Sequence, residues 1–319
     1  MAATEGTTNP MVQSLFHPGR VMQLILRDAN DVDLIVLDIC GPEMGGQGIC
    51  LLSGFTGFMH APRTPVRESW AYQEGSTPSD FPRVDERLLD FRLATKGDTP
   101  ELWETIDSLL WEVLGFKHDC YLRYYTADRT SWREIKIRLD RKPSDTITYD
   151  PSVTKHMVWA ITAVACDPWW YSTTLVSTWT NTDGSGIGNL ILQNDADQEC
   201  WVQFASNTLT STQTWTLPDS VMRYPVGHPK AGQNVTHTLP ALGVGQEFLV
   251  DTYPLHETLT VMDGSLQWAK MRAEDFLYSI PAHTPPTQVP VKVVGGTTAS
   301  SVSAFMTQRW DRPFGGGRK

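Results

Sequence analysis

Short apolar runs bounded by turn residues dominate this chain, and only one stretch breaks that rhythm for long. VMQLILRDANDVDLIVLD (21–38) sets two apolar runs either side of Asp28-Ala29-Asn30-Asp31, mostly turn-tolerant residues, and predicts a hairpin. A Pro- and Gly-rich passage from about Gly54 to Pro82 predicts a long loop or excursion with few regular elements. DFRLATKG (90–97) returns as a strand, and CYLRYYT (120–126) and WREIKIRLD (132–140) predict a strand pair across Ala127-Asp128-Arg129-Thr130. The exception is TPELWETIDSLLWEVLG, where Leu102, Ile106, Leu109, Leu110 and Val113 recur at helical spacing and predict a helix over about 100–114. Thr99 suits its N-cap, Pro100 its first position and Gly115 its stop, with Glu101, Glu104 and Asp107 towards the end that favours anions.

The strand from Lys155 to Cys166 is apolar on both faces: Met157, Trp159, Ile161 and Ala163 point one way, Val158, Ala160 and Val164 the other. Antiparallel strands commonly leave one face to water, so a second layer or a second subunit is expected over it. Val158, Trp159, Ala160 and Val164 are the candidate contact residues. The strand runs into ITAVACDPWWYS (161–172), where Pro168 restricts Asp167 to an extended conformation and Trp169, Trp170 and Tyr171 stand side by side. Such a trio can stack on a sugar, wedge into a membrane or pack one domain on another.

Past Trp170 the character changes. TLVSTWT, NLILQN, CWVQFAS, STQTWTL, NVTHTLP, EFLVDT, TLTVMD, DFLYSI, QVPVKVV and SVSAFMT are short runs separated by turn signals, with no helical pattern. They predict a two-sheet sandwich of jelly-roll type. The chain is therefore expected to be mainly β, with a first domain over 1–168 and a second over 169–319.

Length agrees, since 319 residues suit about two domains. A hydrophobic content of 40% with 19% charged residues is that of an ordinary globular chain. The formal charge of −10 excludes a general nucleic-acid binder, which needs a basic face to displace counterions. Apolar runs such as LIVL (34–37) are far short of a membrane helix, and MAATEGTTNP lacks the basic and apolar regions of a signal peptide. Cys40, Cys50, Cys120, Cys166 and Cys200 are odd in number and scattered, which favours free, mostly buried thiols in a reducing cytoplasm. The first ten residues and the closing GGGRK read as flexible tails.

The candidate chemistry mostly dissolves on inspection. GSGIG (184–188) has the look of a phosphate loop, but NLILQN behind it is a strand, so no helix N-terminus is available and a hairpin turn is favoured. DANDVD (28–33) begins like a calcium loop but has Asp33 where the glycine belongs and Ile39 where the glutamate belongs. His118-Asp119-Cys120 is the one compact trio, and a buried thiol beside polar residues is favoured over a nucleophile pair. CxxC, HExxH and GxSxG are missing from the sequence, and no carboxylate pair, Glu274 and Asp275 included, has a spacing that selects it for glycosidase work. Arg129, Arg133, Lys136, Arg138, Arg141 and Lys142 mix with acids and suggest a solvated face or polar subunit contact. No catalytic residue, metal ligand or cofactor is assigned.

Taken together, the ACDPWWYS step, the series GQEFLVDT, TVMDGSLQW, DFLYSIPAHT and FMTQRWDRPF, and the order of elements resemble the distal tail proteins of long-tailed siphophages, especially minor tail proteins of actinobacteriophages. The resemblance spans about residues 15–314. It implies a β-sandwich with one flanking helix that six copies assemble into a ring continuing the tail tube, plus a galectin-like sandwich projecting outward. It further implies a virion protein of the tail tip, made in the host cytoplasm, without enzymatic activity. Its implied partners are the tail tube protein, tail-tip proteins and the tape measure protein, with DNA sliding through an acidic lumen unbound. On that frame Asp167, Pro168, Trp169, Trp170 and Tyr171 form the domain junction, and the excursion at 54–82 is longer than a minimal ring domain needs. The alternative is a carbohydrate-binding module that displays Trp179, Trp201 or Trp215 to a cell-surface glycan. A glycosidase has only the fold in its favour.

Overall fold

The computed structural model describes residues 21–79, 82–126, 130–144, 147, 149–271 and 274–317. The expected N-terminal tail, Arg318-Lys319 of the C-terminal one and Ala127-Asp128-Arg129 of the second turn lie outside the described residues. Two compact units are present: Met1–Ser172 with Asp311–Gly315, and Thr173–Trp310 with Gly316–Lys319.

In the first unit the expected hairpin is β1 (Met22–Arg27) with β2 (Asp33–Cys40), followed by β3 (Ile49–Leu51). The excursion carries four two-residue strands: β4 (Arg63–Thr64), β5 (Arg67–Glu68), β6 (Thr77–Pro78) and β7 (Arg83–Val84). β4 pairs with β7 and β5 with β6, so the passage expected to have few regular elements is a slender two-stranded ribbon. Then come β8 (Arg87–Lys96), α1 (Pro100–Val113), β9 (Cys120–Tyr125), β10 (Trp132–Leu139), the short α2 (Pro151–Thr154) and β11 (His156–Ala165). One antiparallel sheet runs β2–β1–β9–β10 and another β10–β11–β8–β3. Strand β10 belongs to both: Trp132–Ile137 pair with β9, while Arg138 and Leu139 pair with Val164 and Ala163 of β11. That shared strand closes the two sheets over a core that includes Leu24, Leu37, Leu89, Leu122, Ile135 and Ala163.

Helix α1 starts as expected, with Thr99 Oγ1 accepting from Leu102 N at 3.2 Å and Pro100 in the first turn. Its stop differs. Leu114 is the cap, its N–H bonding Leu110 O, and its backbone is extended. Gly115 follows for space: a Cβ there would lie 2.2 Å from His118 Cε1. The buried face is also rotated from the expected one. Leu110 and Val113 are buried, but Leu102 is 45% exposed. The reason is Asp107, which sits on the sheet side of the helix and accepts from Thr95 Oγ1 (3.0 Å), Trp111 Nε1 (3.0 Å) and Trp159 Nε1 (2.7 Å). Three donors around one carboxylate set which face turns inward.

The second unit is a sandwich of β12 (Trp170–Thr180, entering from the first unit), β13 (Ile187–Asn194), β14 (Val202–Ser206), β15 (Thr214–Arg223), β16 (Asn234–Thr238), β17 (Phe248–Asp251), β18 (Leu259–Val261), β19 (Thr284–Val294) and β20 (Ser301–Trp310). Its sheets run β18–β17–β14–β20–β12 and β13–β19–β15–β16, with Leu190, Phe204, Trp215, Phe248 and Val289 in the core between them. DFLYSI, expected as a strand, is not one: only Ile280 bridges, to Cys200. The buried Asp219 carboxylate takes the N–H groups of Leu277 (2.9 Å) and Tyr278 (3.1 Å), leaving them no ladder to join. GSGIG is the expected turn, its Gly186 N–H bonded to Asn181 Oδ1 at 2.7 Å and its Ser185 N–H to Asp183 Oδ1 at 3.0 Å.

The rotated helix face has a direct test. Leu110→Ala should lower stability in denaturant melts by about 2–5 kcal/mol, the cost of a cavity at a fully buried leucine. Leu102→Ala should stay within about 0.5 kcal/mol, as for ordinary surface changes.

Candidate functional site

Two features of the first unit bear on function: a buried arginine where the chain leaves and re-enters it, and a bare sheet face. Arg87 opens β8 with a fully buried side chain. Its Nε donates to Pro168 O (2.8 Å), Nη1 to Gly57 O (2.9 Å) and Phe58 O (3.0 Å), and Nη2 to Asp311 O (2.8 Å). The Asp311 carboxylate is 3.9 Å away and accepts from His60 Nδ1 (2.8 Å), Ala61 N (2.8 Å) and Arg63 Nη1 (3.2 Å). Gly57 lets the 57–61 segment come this close: its φ is +82° and a Cβ there would lie 1.9 Å from Leu88 O. Burial pushes the Arg87 pKa down to about 10, against the attraction of Asp311, so the guanidinium is still charged at neutral pH.

The aromatic trio lies beside this node. Trp170 is fully buried and its Nε1 donates to Phe58 O at 3.2 Å, the carbonyl that Arg87 also uses. Trp169 lies under the Arg63 guanidinium, 5.9 Å from ring centre to Cζ. Tyr171 Oη donates to Asp167 Oδ2 at 2.5 Å, and Tyr171 pairs with Glu134 of β10. Further along, Arg133 donates to Arg312 O (2.7 Å) and Gly315 O (2.6 Å), and Phe314 stacks on Tyr124. These bonds explain why Asp311–Gly315, expected with the second domain, groups with the first unit.

The bare face belongs to β8 and β11. Val158 pairs with Ala94, Ala160 with Arg92 and Val164 with Leu88, while Cys50 of β3 pairs with Ala94. Val158 is 43% exposed and Leu88 38% exposed. Val158, Ala160 and Val164 therefore share an outer face, as the alternation predicts, and that face is mixed: Asp90, Arg92 and Lys96 of β8 and His156 and Thr162 of β11 stand on it beside them. Trp159 is on the opposite side, bonded to Asp107 and edge-on to Trp111 at 4.9 Å.

The remaining candidates have local partners. Asp28 Oδ1 accepts from Asn30 N (2.8 Å) and Val32 N (2.9 Å), and Arg27 pairs with Asp31 and Asp33, so DANDVD is a hairpin tip. Asp119 pairs with Lys136 (3.0 Å) and Arg138 (2.6 Å), and Arg141 pairs with Asp140. Arg129 lies outside the described residues. All five cysteines are free, and burial pushes the Cys120 and Cys200 thiols up to about 12. Among the described residues no group of three His, Cys, Asp or Glu is placed to hold a metal ion, and no helix is long and apolar enough to cross a membrane. Of the tryptophans considered for a glycan, Trp215 is fully buried and Trp179 packs edge-on against it at 6.1 Å. Trp201 is edge-on to Tyr253 at 5.9 Å, next to a depression of about 660 Å³ lined by Tyr253, His256, Glu257, Trp268 and Asp275.

The node makes stability depend on pH at the acid end. Burial works against the Asp311 charge, but His60, the Ala61 N–H and Arg63 outweigh it and hold the carboxyl below its usual range. A carboxyl lowered by folding contributes stability above its unfolded pKa of about 3.9 and loses it as pH falls through the lower folded value. Asp311→Asn should therefore flatten the fall in stability below about pH 4, measured by urea melts across pH. Arg87→Met should cost about 3–5 kcal/mol at neutral pH, because it strands buried acceptors and Asp311. Arg92→Met, exposed on the same strand, should stay within about 0.5 kcal/mol.

No protein-family model matches the chain. It is 24% identical to the minor tail protein Gp27 of Mycobacterium phage L5, over 85% of this chain and 93% of that protein. It is 21% identical to the minor tail protein Gp27 of Mycobacterium phage D29, with the same coverage. Among solved structures, the Dit protein of phage SPP1, described as a hub of the adsorption apparatus of phages that infect Gram-positive hosts, matches with a TM-score of 0.57. That match covers 91% of this chain and 98% of the SPP1 protein at 12% identity. A chain of the phage P2 baseplate in its activated conformation matches with a TM-score of 0.50 over 92% of this chain and 99% of that one, at 11% identity. The mainly β fold is that of Dit, and the resemblance read from the residues holds in both comparisons: the chain is similar in sequence to the minor tail proteins of two mycobacteriophages and in fold to Dit.

Proposed function

We propose that this protein is a structural component of a non-contractile phage tail, six copies of which close a ring at the distal end of the tail tube. The first unit builds the ring, and the second presents a sandwich to the tail-tip proteins. Tail tube protein and tape measure protein are its further partners, and its place is the tip of the virion tail. The role is architectural rather than catalytic. The observation that supports the reading is the outer face of β8 and β11, where Leu88, Val158, Ala160 and Val164 stand among Asp90, Arg92 and Lys96 and the described residues leave them partly open. A net charge of −10 suits a ring through which DNA slides without sticking.

A second reading, glycan binding by the second unit, is favoured by the depression beside Trp201, where aromatic rings stand next to carboxylates and His256. Its residues are Tyr253, Trp268, Glu257 and Asp275, rather than the buried Trp215.

Sizing by light scattering should find the purified chain, alone or with its neighbouring tail proteins, as a ring of six. Val158→Asp, at a position 43% exposed in the single chain, should fold with an unchanged circular dichroism spectrum yet stay monomeric, since an unpaired carboxylate in a covered interface is costly. A Val158→Asp chain that still builds wild-type rings removes this face from the interface. Screening the full chain against cell-surface glycans checks the second reading, which predicts binding that Trp268→Ala abolishes; no binding to any glycan ends it.

A further inference from the structure

The depression in the second unit has walls held from beneath by buried polar bonds. One wall is the turn from β17 to β18. The buried Asp251, at the end of β17, accepts from Gln203 Nε2 (2.8 Å), Tyr253 N (2.9 Å) and His256 Nδ1 (2.8 Å). Beside it the buried Thr252 Oγ1 donates to Val202 O (2.8 Å) and accepts from Val202 N (3.0 Å). Val202 and Gln203 belong to β14, so side chains as well as the ladder tie the turn to the neighbouring strand. The Tyr253 ring packs on Trp201 (5.9 Å between centres) and on His256 (5.0 Å). The other wall comes from Trp268, in the helical turn Trp268–Met271, and from residues 275–277. Phe276 anchors it. Its ring is buried against Phe204 (6.2 Å) and His237 (4.9 Å), and the N–H of Leu277 is held by Asp219 (2.9 Å). Arg272 and Ala273 lie outside the described residues.

The groups that these walls turn towards the depression are of two kinds, aromatic rings and hydrogen-bond acceptors. Trp268 is 52% exposed, so much of its ring is open. His256 Nδ1 is spent on Asp251, which leaves Nε2 for a ligand, as an acceptor while the imidazole is neutral. The remaining charged groups of the lining, Glu257 and Asp275, are both acids. Neither carboxylate has a hydrogen bond or ion pair among the described residues. Lys270, two residues beyond Trp268, is exposed and does not line the depression. Open rings beside fixed acceptors suit a sugar, whose C–H face packs on an indole while its hydroxyls donate. The charge narrows the class further. Two carboxylates without a counter-ion in one depression favour a cation and disfavour a phosphate or a carboxylate. A cation also gains from the face of a neighbouring tryptophan or tyrosine.

From this we propose that the depression binds a sugar carrying a free amino group, with its ring against Trp268 and its ammonium towards Glu257 and Asp275. The inference rests on the glycan reading and deepens it by naming the class of sugar. N-acetylation removes the charge and leaves both carboxylates unmet, so the site selects the amine over its amide. The bonds of Asp251 and Thr252 hold the β17–β18 turn in place before a ligand arrives, which lowers the ordering cost of binding.

Titration calorimetry on the full chain tests this with two probes that share one backbone, the β-1,4-linked tetramer of glucosamine and its fully N-acetylated form. At about pH 6 the amines are charged and the carboxylates ionised. The amine tetramer should bind at least about tenfold more tightly than the N-acetylated one, the scale of a hydrogen bond between charged groups. Glu257→Gln and Asp275→Asn should each weaken the amine tetramer about threefold, as for a solvent-exposed ion pair, and leave the N-acetylated one unchanged. Glu68→Gln removes the same charge from the first unit and should change neither affinity, whereas Trp268→Ala should abolish both. Circular dichroism should show every variant folded as the wild type. A neutral, acidic or N-acetylated glycan bound as tightly as the amine overturns this inference and leaves the glycan reading standing. Amine binding that survives the Glu257→Gln and Asp275→Asn pair, or that falls equally with Glu68→Gln, is attraction to the net charge and overturns it as well. A chain that binds neither tetramer nor any other glycan overturns both.

Discussion

A single buried guanidinium organises the first unit. Arg87 has no exposed side chain, and a desolvated cation is tolerated only when its donors are met and an opposite charge is near. Here four carbonyls surround it, from Gly57, Phe58, Pro168 and Asp311, and the Asp311 carboxylate lies just beyond. Those carbonyls come from the start of the excursion, the segment between β11 and β12 and the returning C-terminal segment. One side chain therefore sets where the excursion begins, where the chain leaves and where it comes back. Trp170 is placed by the same logic, since it shares the Phe58 carbonyl and fills the space beside it.

The aromatic trio that looked like one functional cluster is thereby split into three roles. Trp170 is core, Trp169 lies under Arg63, and Tyr171 holds Asp167 at the step out of the first unit. The same division of labour runs through the helix. Asp107, on the inward side of α1, binds Trp111, Trp159 and Thr95, so polar bonds as well as leucines decide which face is buried. With Trp159 turned inward, Val158, Ala160 and Val164 lie on the outward side of β11, together with His156 and Thr162.

The candidate chemistry read from the sequence is taken up by local partners. The cysteines with the most shifted thiols are buried, the acidic hairpin tip is closed by Arg27, and the glycine-rich string spends its amides on its own turn. What the first unit presents is a sheet face on which Leu88, Val158 and Ala160 stand among Asp90, Arg92 and Lys96, and a ribbon with two exposed aromatics at its tip.

Periodicity and turn chemistry were enough to place β1, β2, β8 to β11, helix α1 and nearly all strands of the second unit, because these depend on neighbours a few residues apart. They also showed that Val158, Ala160 and Val164 share a face, since alternation along a strand is local geometry. The tertiary structure decided the rest. DFLYSI lost its strand to the buried Asp219 carboxylate from another part of the chain. The helix face turned on Asp107 finding indoles from α1 itself and from β11. The return of Asp311–Gly315 to the first unit rests on Arg87 and Arg133 bonding backbone carbonyls. Every residue carries a carbonyl, so an acceptor of that kind leaves no mark in the sequence, and only the folded chain reveals which ones a buried arginine has gathered.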